Sequence, residues 1–404
     1  MPQYSKAISS LRTSEIRDLM GLATRPDIIS FAGGMPGNEL FPVKEIDEIY
    51  NNLPLNIKQT GFQYGPTAGY EPLLESLSEY LIRKGLPVKN NRLLITTGSL
   101  QAINITGKIF LDPGDTIVTE NPCFVGAITA YKSYQANLKG IDLDEGGINT
   151  GLLQDYLNKS KSLPPKFLYL TPNFHNPAGT LYTGERKKEL FSLLQKNDLF
   201  LVEDDAYGEL YFDEEAHKNI IPIKALYGDE TPICYLGSFS KILGPGFRLG
   251  WMLAPPDIYQ KAELVKQSLD ACSPNFTQVL ANEFLKSGRL EKYVAELRDI
   301  YKRRKETMAS AIRKYFPEEI QWMEPRGGFY IWLKIPPRID LMTILKASIE
   351  KGTVFVIGKT FDPDGIDNSH FRLAYSHTPE DKIEKGIRIL GEVLKEGLKI
   401  SAGG

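Results

Sequence analysis

Phe200-Leu201-Val202-Glu203-Asp204-Asp205-Ala206-Tyr207 is an apolar run that ends on three consecutive carboxylates. Such a run reads as an interior strand, and acids at its carboxyl end stand where open α/β sheets bind ligands. Helix capping or a loop charge is the plain alternative for an isolated Asp-Asp pair. On either side of this run, from residue 92 to 255, short β-branched or aromatic runs alternate with longer amphipathic stretches. Strands are predicted at 93–97, 116–120, 138–143, 167–170, 200–203, 234–238 and 249–253, all of a composition that suits burial on both sides. The pattern predicts an α/β fold with a large domain, its mostly parallel central sheet lying between helices. Residues 289–316 read as a long helix leading out of that domain. A smaller α+β domain follows, with strands at 329–335, 354–357 and 371–374 and a last helix at 379–398. The first 50 residues carry no sheet pattern of their own and are assigned to the small domain, so the expected organisation is 1–50, 51–288 and 289–404.

Composition excludes several classes. The 404 residues are 42% hydrophobic and 24% charged, as in ordinary globular chains, and the net charge of −2 gives no pull toward nucleic acid or an anionic membrane. No apolar run approaches the roughly 20 residues of a membrane span, and no apolar leader follows Met1, so a cytoplasmic protein is expected. Cys123, Cys234 and Cys272 form no C-x-x-C pair, and four histidines without H-E-x-x-H make a metal site an unsupported reading. No G-x-G-x-x-G occurs, and Thr353 stands where a P-loop ending at Gly358-Lys359-Thr360 would need glycine.

Four loops carry chemistry. In Gly237-Ser238-Phe239-Ser240-Lys241-Ile242-Leu243-Gly244-Pro245-Gly246-Phe247-Arg248 a lysine lies among hydroxyls and glycines, with an arginine seven residues on. That set can hold a phosphorylated aldehyde: lysine for the carbonyl, hydroxyls, backbone N–H groups and arginine for the phosphate. A surface loop is the bland competitor. After the strand at 200–203, a fixed carboxylate such as Asp204 would keep a pyridine ring protonated, with Tyr207 three residues on to reach a phenolic oxygen. The loop 171–180 contains Asn176-Pro177, a candidate cis bond in a turn, and aims the Asn176 amide into the crevice. Thr97-Gly98-Ser99-Leu100-Gln101 joins a strand to a helix, offering free N–H groups and the Ser99 hydroxyl to an anion, or Ser99 as an N-cap.

Asn176-Pro177-x-Gly179, Asp204-x-x-Tyr207, Ser238-x-x-Lys241 and Arg248 follow the order and spacing of the fold type I, pyridoxal 5′-phosphate-dependent aminotransferases of class I/II, which the chain resembles from about residue 30 to its last helix. Ser30-Phe31-Ala32-Gly33-Gly34-Met35-Pro36, Gln63-Tyr64-Gly65-Pro66-Thr67-Ala68-Gly69-Tyr70 and 237–241 resemble the 2-aminoadipate and kynurenine branch. The resemblance implies that Lys241 is the Schiff-base lysine and Asp204 the partner of the ring nitrogen, with Asn176 and Tyr207 on the ring oxygen. Ser99, Leu100 through its backbone, Ser238, Ser240 and Arg248 would hold the phosphate. Phe124 would stack on the ring, where relatives often carry tyrosine. Tyr64 would reach the cofactor phosphate of the neighbouring subunit in a homodimer with shared sites. Arg372 would clamp the substrate carboxylate, with Asn176, Gly34 and the N-terminal Arg17 also facing the substrate. The implied reaction is ping-pong transamination of a 2-aminoadipate, leucine-like or aromatic amino acid with 2-oxoglutarate. A β-eliminating lyase on the same scaffold is the nearest alternative. Transcription regulators of related sequence carry a DNA-binding domain ahead of this pattern, for which a start near residue 30 leaves no room.

Overall fold

The computed structural model describes residues 3–9, 25, 27–227, 232–337 and 339–402. Its strands, in chain order, are β1 Ile29–Ser30, β2 Arg92–Thr96, β3 Thr116–Asn121, β4 Asn137–Asp144, β5 Gly147–Ile148, β6 Leu168–Leu170, β7 Leu201–Asp205, β8 Ile233–Ser238, β9 Gly250–Ala254, β10 Gln321–Trp322, β11 Tyr330–Lys334, β12 Thr353–Val354, β13 Val356–Ile357 and β14 His370–Ala374. Eight form one sheet in the order β2-β9-β8-β7-β6-β3-β4-β5. The run β8-β7-β6-β3-β4 is parallel, β9 lies antiparallel between β2 and β8, and β5 folds back on β4. Every residue of β6, β7 and β8 is buried, as strands covered on both faces require. β4 departs from the expected double burial: Asn137, Lys139 and Asp142 are exposed, because only the two-residue β5 lies beyond it at the sheet margin.

The helix Ser99–Phe110 buries Ala102, Ile103 and Ile105 in a cluster with Leu94, Leu236 and Met252 of the sheet. That packing fixes its N-terminus at the carboxyl edge of β2. The helix Arg289–Tyr315 buries Leu290, Val294, Leu297, Tyr301, Met308 and Ile312 along one face, the stripe expected of a helix laid on a core. Glu380–Ala402 presents Ile383, Ile387, Leu390 and Leu394 to the same core.

The small sheet is antiparallel, in the order β10-β11-β14-β13, and Arg372 in β14 stands between Trp332 of β11 and Val356 of β13. Two expectations are corrected here. The predicted strand at 354–357 is two strands of different sheets: β12 pairs with β1, and β13 with β14. A buried apolar run reads the same whichever neighbour its backbone bonds to. The first 50 residues do supply a strand, since β1 runs parallel to β12. Phe31 extends the stitch, donating to Val354 O at 2.8 Å and accepting from Ala374 N–H at 2.9 Å. Among the described residues no helix is long and apolar enough to cross a membrane.

Candidate active site

The loops after β2, β3, β6, β7 and β8 leave one edge of the large sheet and surround a cavity of about 310 Å³. Gly34 and Met35 from the N-terminal segment and Tyr330 and Arg372 from the small sheet close it. A wider cleft of about 990 Å³, lined by Asp142, Trp322, Trp332 and His370 among others, holds none of the predicted site residues.

Strand alternation sorts the three acids of β7. Glu203 and Asp205 point to one face and are saturated there. Glu203 accepts from the backbone N–H of Ile223 at 2.7 Å and Lys224 at 3.0 Å, and Asp205 from Gly208 N–H and the Tyr235 hydroxyl, both at 2.9 Å. Asp204 faces the other way, into the cavity. Its Oδ2 accepts the Tyr169 hydroxyl at 2.6 Å, while its buried Oδ1 has no partner. Burial pushes this carboxyl up to about 7, against the Tyr169 hydrogen bond and with repulsion from Asp205 and Glu120 adding to the rise. An orphaned buried acceptor beside an empty volume calls for a donor, and a cationic N–H suits it best.

Lys241 follows β8 in a tight turn and donates from Nζ to Gly34 O at 2.9 Å. Burial first, then Arg372 and Arg248, pull its ammonium down to about 8. Gly34 is required in its place: a Cβ there would lie 1.9 Å from the Tyr330 hydroxyl oxygen. Its carbonyl can therefore approach the lysine only with no side chain behind it.

At one end of the cavity, Gly98 at φ 80° leads into the helix that starts at Ser99. Ser99 is thus the first helical residue and not the N-cap; Gly98 holds the cap position and makes no side-chain cap bond. The Ser99 hydroxyl and the first N–H groups of the helix are left for an anion. Ser238 Oγ accepts from Ser240 N–H at 3.1 Å. Arg248, at φ 52°, lays its guanidinium beside Thr97 O at 3.2 Å and Pro245 O at 3.3 Å. Behind the turn, Asp270 accepts from Thr97 Oγ1, Gln101 Nε2 and Lys266 Nζ, each at 2.7 Å, which pins 97–101 from below.

At the other end, Arg372 is 2% exposed. It donates from Nη1 to Asn176 Oδ1 at 2.8 Å and from Nη2 to Ala32 O, while its buried Nε has no partner. Its guanidinium lies 4.4 Å from the Tyr330 ring centre and 4.7 Å from that of Phe361. Asn176 in turn donates from Nδ2 to the Tyr207 hydroxyl at 3.4 Å, and the Tyr207 and Tyr330 hydroxyls are 2.9 Å apart. The Asn176-Pro177 bond is cis, as is Asn121-Pro122, which the sequence reading did not single out. Buried His175, beside this loop, accepts Ala178 N–H on Nδ1 and faces Glu120 Oε2 with Nε2 at 3.2 Å, a structural arrangement.

Lys241, Asp204, Tyr207, Ser99, Leu100, Phe124, Asn176, Ser238, Ser240, Arg248, Arg372 and Gly34 all line this one cavity. Tyr64 does not; it is 85% exposed on the surface. Arg17 lies outside the described residues. Sequence reasoning did not single out Thr171, Ala206 and Tyr330, which also line the cavity, or Tyr169 behind Asp204. One signal was available for Tyr169: a tyrosine in a strand buried on both faces needs a partner for its hydroxyl.

Residues 27–390 match the family model described as aminotransferase class I and II. The chain is 37% identical over 399 residues to aromatic-amino-acid aminotransferase 1 of Thermococcus litoralis, covering 98% of this chain and 95% of that protein. It is 34% identical over 392 residues to the 2-aminoadipate transaminase of Thermus thermophilus, covering 97% and 96%. Among solved structures, the kynurenine aminotransferase of Pyrococcus horikoshii in complex with PMP, KYN and KYA superimposes with a TM-score of 0.93 at 39% identity, covering 98% and 97% of the two chains.

Proposed function

The chain belongs to the class I and II aminotransferases, and from that premise we propose that it moves the amino group of an aromatic, leucine-like or 2-aminoadipate-like amino acid to 2-oxoglutarate by a ping-pong route. It is an aminotransferase, its cofactor is pyridoxal 5′-phosphate, and its substrates are an amino acid and an oxo acid. The lyase alternative is not favoured, since the relatives and the solved structure named above are aminotransferases.

One observation carries the assignment of roles: of the cavity residues with orphaned buried atoms, Thr171, Asp204 and Arg372, the two charged ones are an acceptor, Asp204 Oδ1, and a donor, Arg372 Nε. They suit a ring N–H and a substrate carboxylate. When bound, the cofactor supplies an electron sink for negative charge at the substrate Cα. Ser99, Leu100 N–H, Ser238, Ser240 and Arg248 would hold its phosphate, Asn176 and Tyr207 its ring oxygen, and Phe124 would cover the ring. Arg372 holds the α-carboxylate by charge-assisted hydrogen bonds, turning the Cα–H toward Lys241. Lys241 Nζ, poised near neutrality, takes the proton at Cα and as the ammonium returns one. Gly34, Met35 and Tyr330 exclude water from above.

The same reading includes a homodimer. Tyr64 and Phe62 are 85% and 75% exposed, and Phe62 stacks on Phe276, 5.5 Å between ring centres, beside an apolar groove of about 370 Å³ lined by Phe41, Leu243, Phe247 and Phe276, which supports a partner surface there. Tyr64 would reach the partner's cofactor phosphate. Division of the chain at residues 50 and 288, an N-terminal Arg17 meeting the substrate and a cytoplasmic location belong to this proposal; the unpaired Cys123, Cys234 and Cys272 suit a reducing compartment. The test is kcat/KM for a panel of amino donors with 2-oxoglutarate. Glutamate should form, fastest with an aromatic, leucine-like or aminoadipate donor. Pyruvate and ammonia from a cysteine derivative, without glutamate from any donor, would overturn it.

A further inference from the structure

Asp204 has two oxygens with different fates, and one residue makes them different. Oδ2 is occupied by the Tyr169 hydroxyl at 2.6 Å, and Oδ1 is buried and unpartnered. Tyr169 is itself fully buried in β6, its ring edge-on to Tyr131 at 5.6 Å between ring centres, so its hydroxyl has no solvent alternative. We propose that Tyr169 is a positioning residue that decides where the proton shared between Asp204 Oδ1 and the cofactor ring nitrogen resides. The inference rests on the assignment of Asp204 to that nitrogen.

A carboxylate buried in apolar surroundings is a strong base, strong enough to take the proton from a pyridinium and leave the ring neutral. The groups that face Asp204 make this worse: Asp205 on its own strand and Glu120 on β3 are acidic neighbours that raise its affinity for a proton. Cys123, after β3, and Tyr131, on the helix Val125–Ser133, have thiol and phenol pKa values pushed up by burial, so neither supplies positive charge. Tyr169 alone donates a hydrogen bond to Asp204 among the described residues. By drawing charge onto Oδ2, that bond makes Oδ1 the weaker base and leaves the proton on nitrogen. No proton leaves Tyr169. A hydrogen bond to a charged group of this kind shifts such a partition by about ten- to hundred-fold. It also fixes the carboxylate plane, so that one oxygen only is presented to the cavity.

The experiment is nitrogen-15 NMR of holoenzyme reconstituted with ring-labelled pyridoxal phosphate. In Tyr169→Phe the ring resonance should move from the pyridinium position toward that of neutral pyridine, with kcat falling about ten-fold or more. In Tyr169→3-fluorotyrosine, whose hydroxyl is the stronger donor, it should move further toward the pyridinium side, and this variant decides the matter if Tyr169→Phe does not fold. A merely structural role for Tyr169 would alter stability or cofactor affinity without moving the resonance. The idea is overturned if neither variant moves it as described while Asp204→Asn does. If Asp204→Asn leaves it in place as well, the assignment of Asp204 fails together with the inference.

Discussion

The two arginines of the cavity hold opposite ends of it and do so by different means. Arg248 is exposed, sits on a left-handed turn seven residues from Lys241 and rests against carbonyls of neighbouring loops. Arg372 is buried, comes from the other sheet, and is held by Asn176, Ala32 and two aromatic rings. The first belongs to a local motif completed by backbone N–H groups, the second to a set of side chains assembled across the whole chain. Water can partly replace Arg248, whereas loss of Arg372 leaves a dry hole lined by unpaired Asn176 and Ala32 oxygens.

That contrast can be broken or sharpened by experiment. Both arginines serve one lysine, so Lys241→Ala should abolish transamination and the absorbance of the lysine-bound cofactor, and turnover retained in that variant would dissolve the comparison. Next in size, Arg372→Ala should lower kcat/KM for amino donors on the order of a thousand-fold, as removal of a buried charged partner does, with cofactor affinity nearly unchanged. Arg248→Ala should do the reverse: cofactor Kd, measured by titrating the cofactor-free protein, rises about ten-fold while donor selectivity among saturated enzyme stays put. Equal effects of the two variants on both quantities would mean that the ends are not separate.

The smallest effect is on the pH response of Lys241. Its neutral amine is the reactive form, so in cofactor-free protein the rate of its reaction with an acylating reagent should rise with pH through about 8 and then level. Removing either cation favours the ammonium. The midpoint should therefore rise in both variants, and further in Arg372→Ala, since Arg372 depresses the lysine more than Arg248 does. An equal or reversed order would contradict the buried placement of Arg372.

The same contrast accounts for what could be read from the sequence. Lys241, Ser238 and Arg248 share one loop, and the proposed phosphate site is written in two short runs, 97–101 and 237–248. Arg372 had no such context; only its resemblance to a family pattern marked it, because nothing near 372 records that Asn176 and Ala32 fold against it. The acids of β7 lie between these cases. A period of two separates Asp204 from Glu203 and Asp205, but which face is the cavity depends on Ile223, Lys224 and Tyr235, whose pairing with β7 is tertiary. Tyr330 went unnoticed for the same reason, as its strand was legible and its contacts with Tyr207 and Gly34 were not. The cap alternative for Ser99 stayed open in the sequence because a glycine at the cap position leaves no side-chain signature.

The stitch of Phe31 between β12 and β14, with Arg372 bonded to a carbonyl 340 positions earlier in the chain, has a consequence for biosynthesis. A ribosome releases the first segment long before β14 exists to receive it. The large sheet can form during translation, but the lid over Lys241 has no seat until nearly the last residues emerge. Catalytic competence is therefore acquired at the end of synthesis, by one long-range closure, and a nascent chain stalled before β14 would carry the lysine without the means to orient a substrate on it.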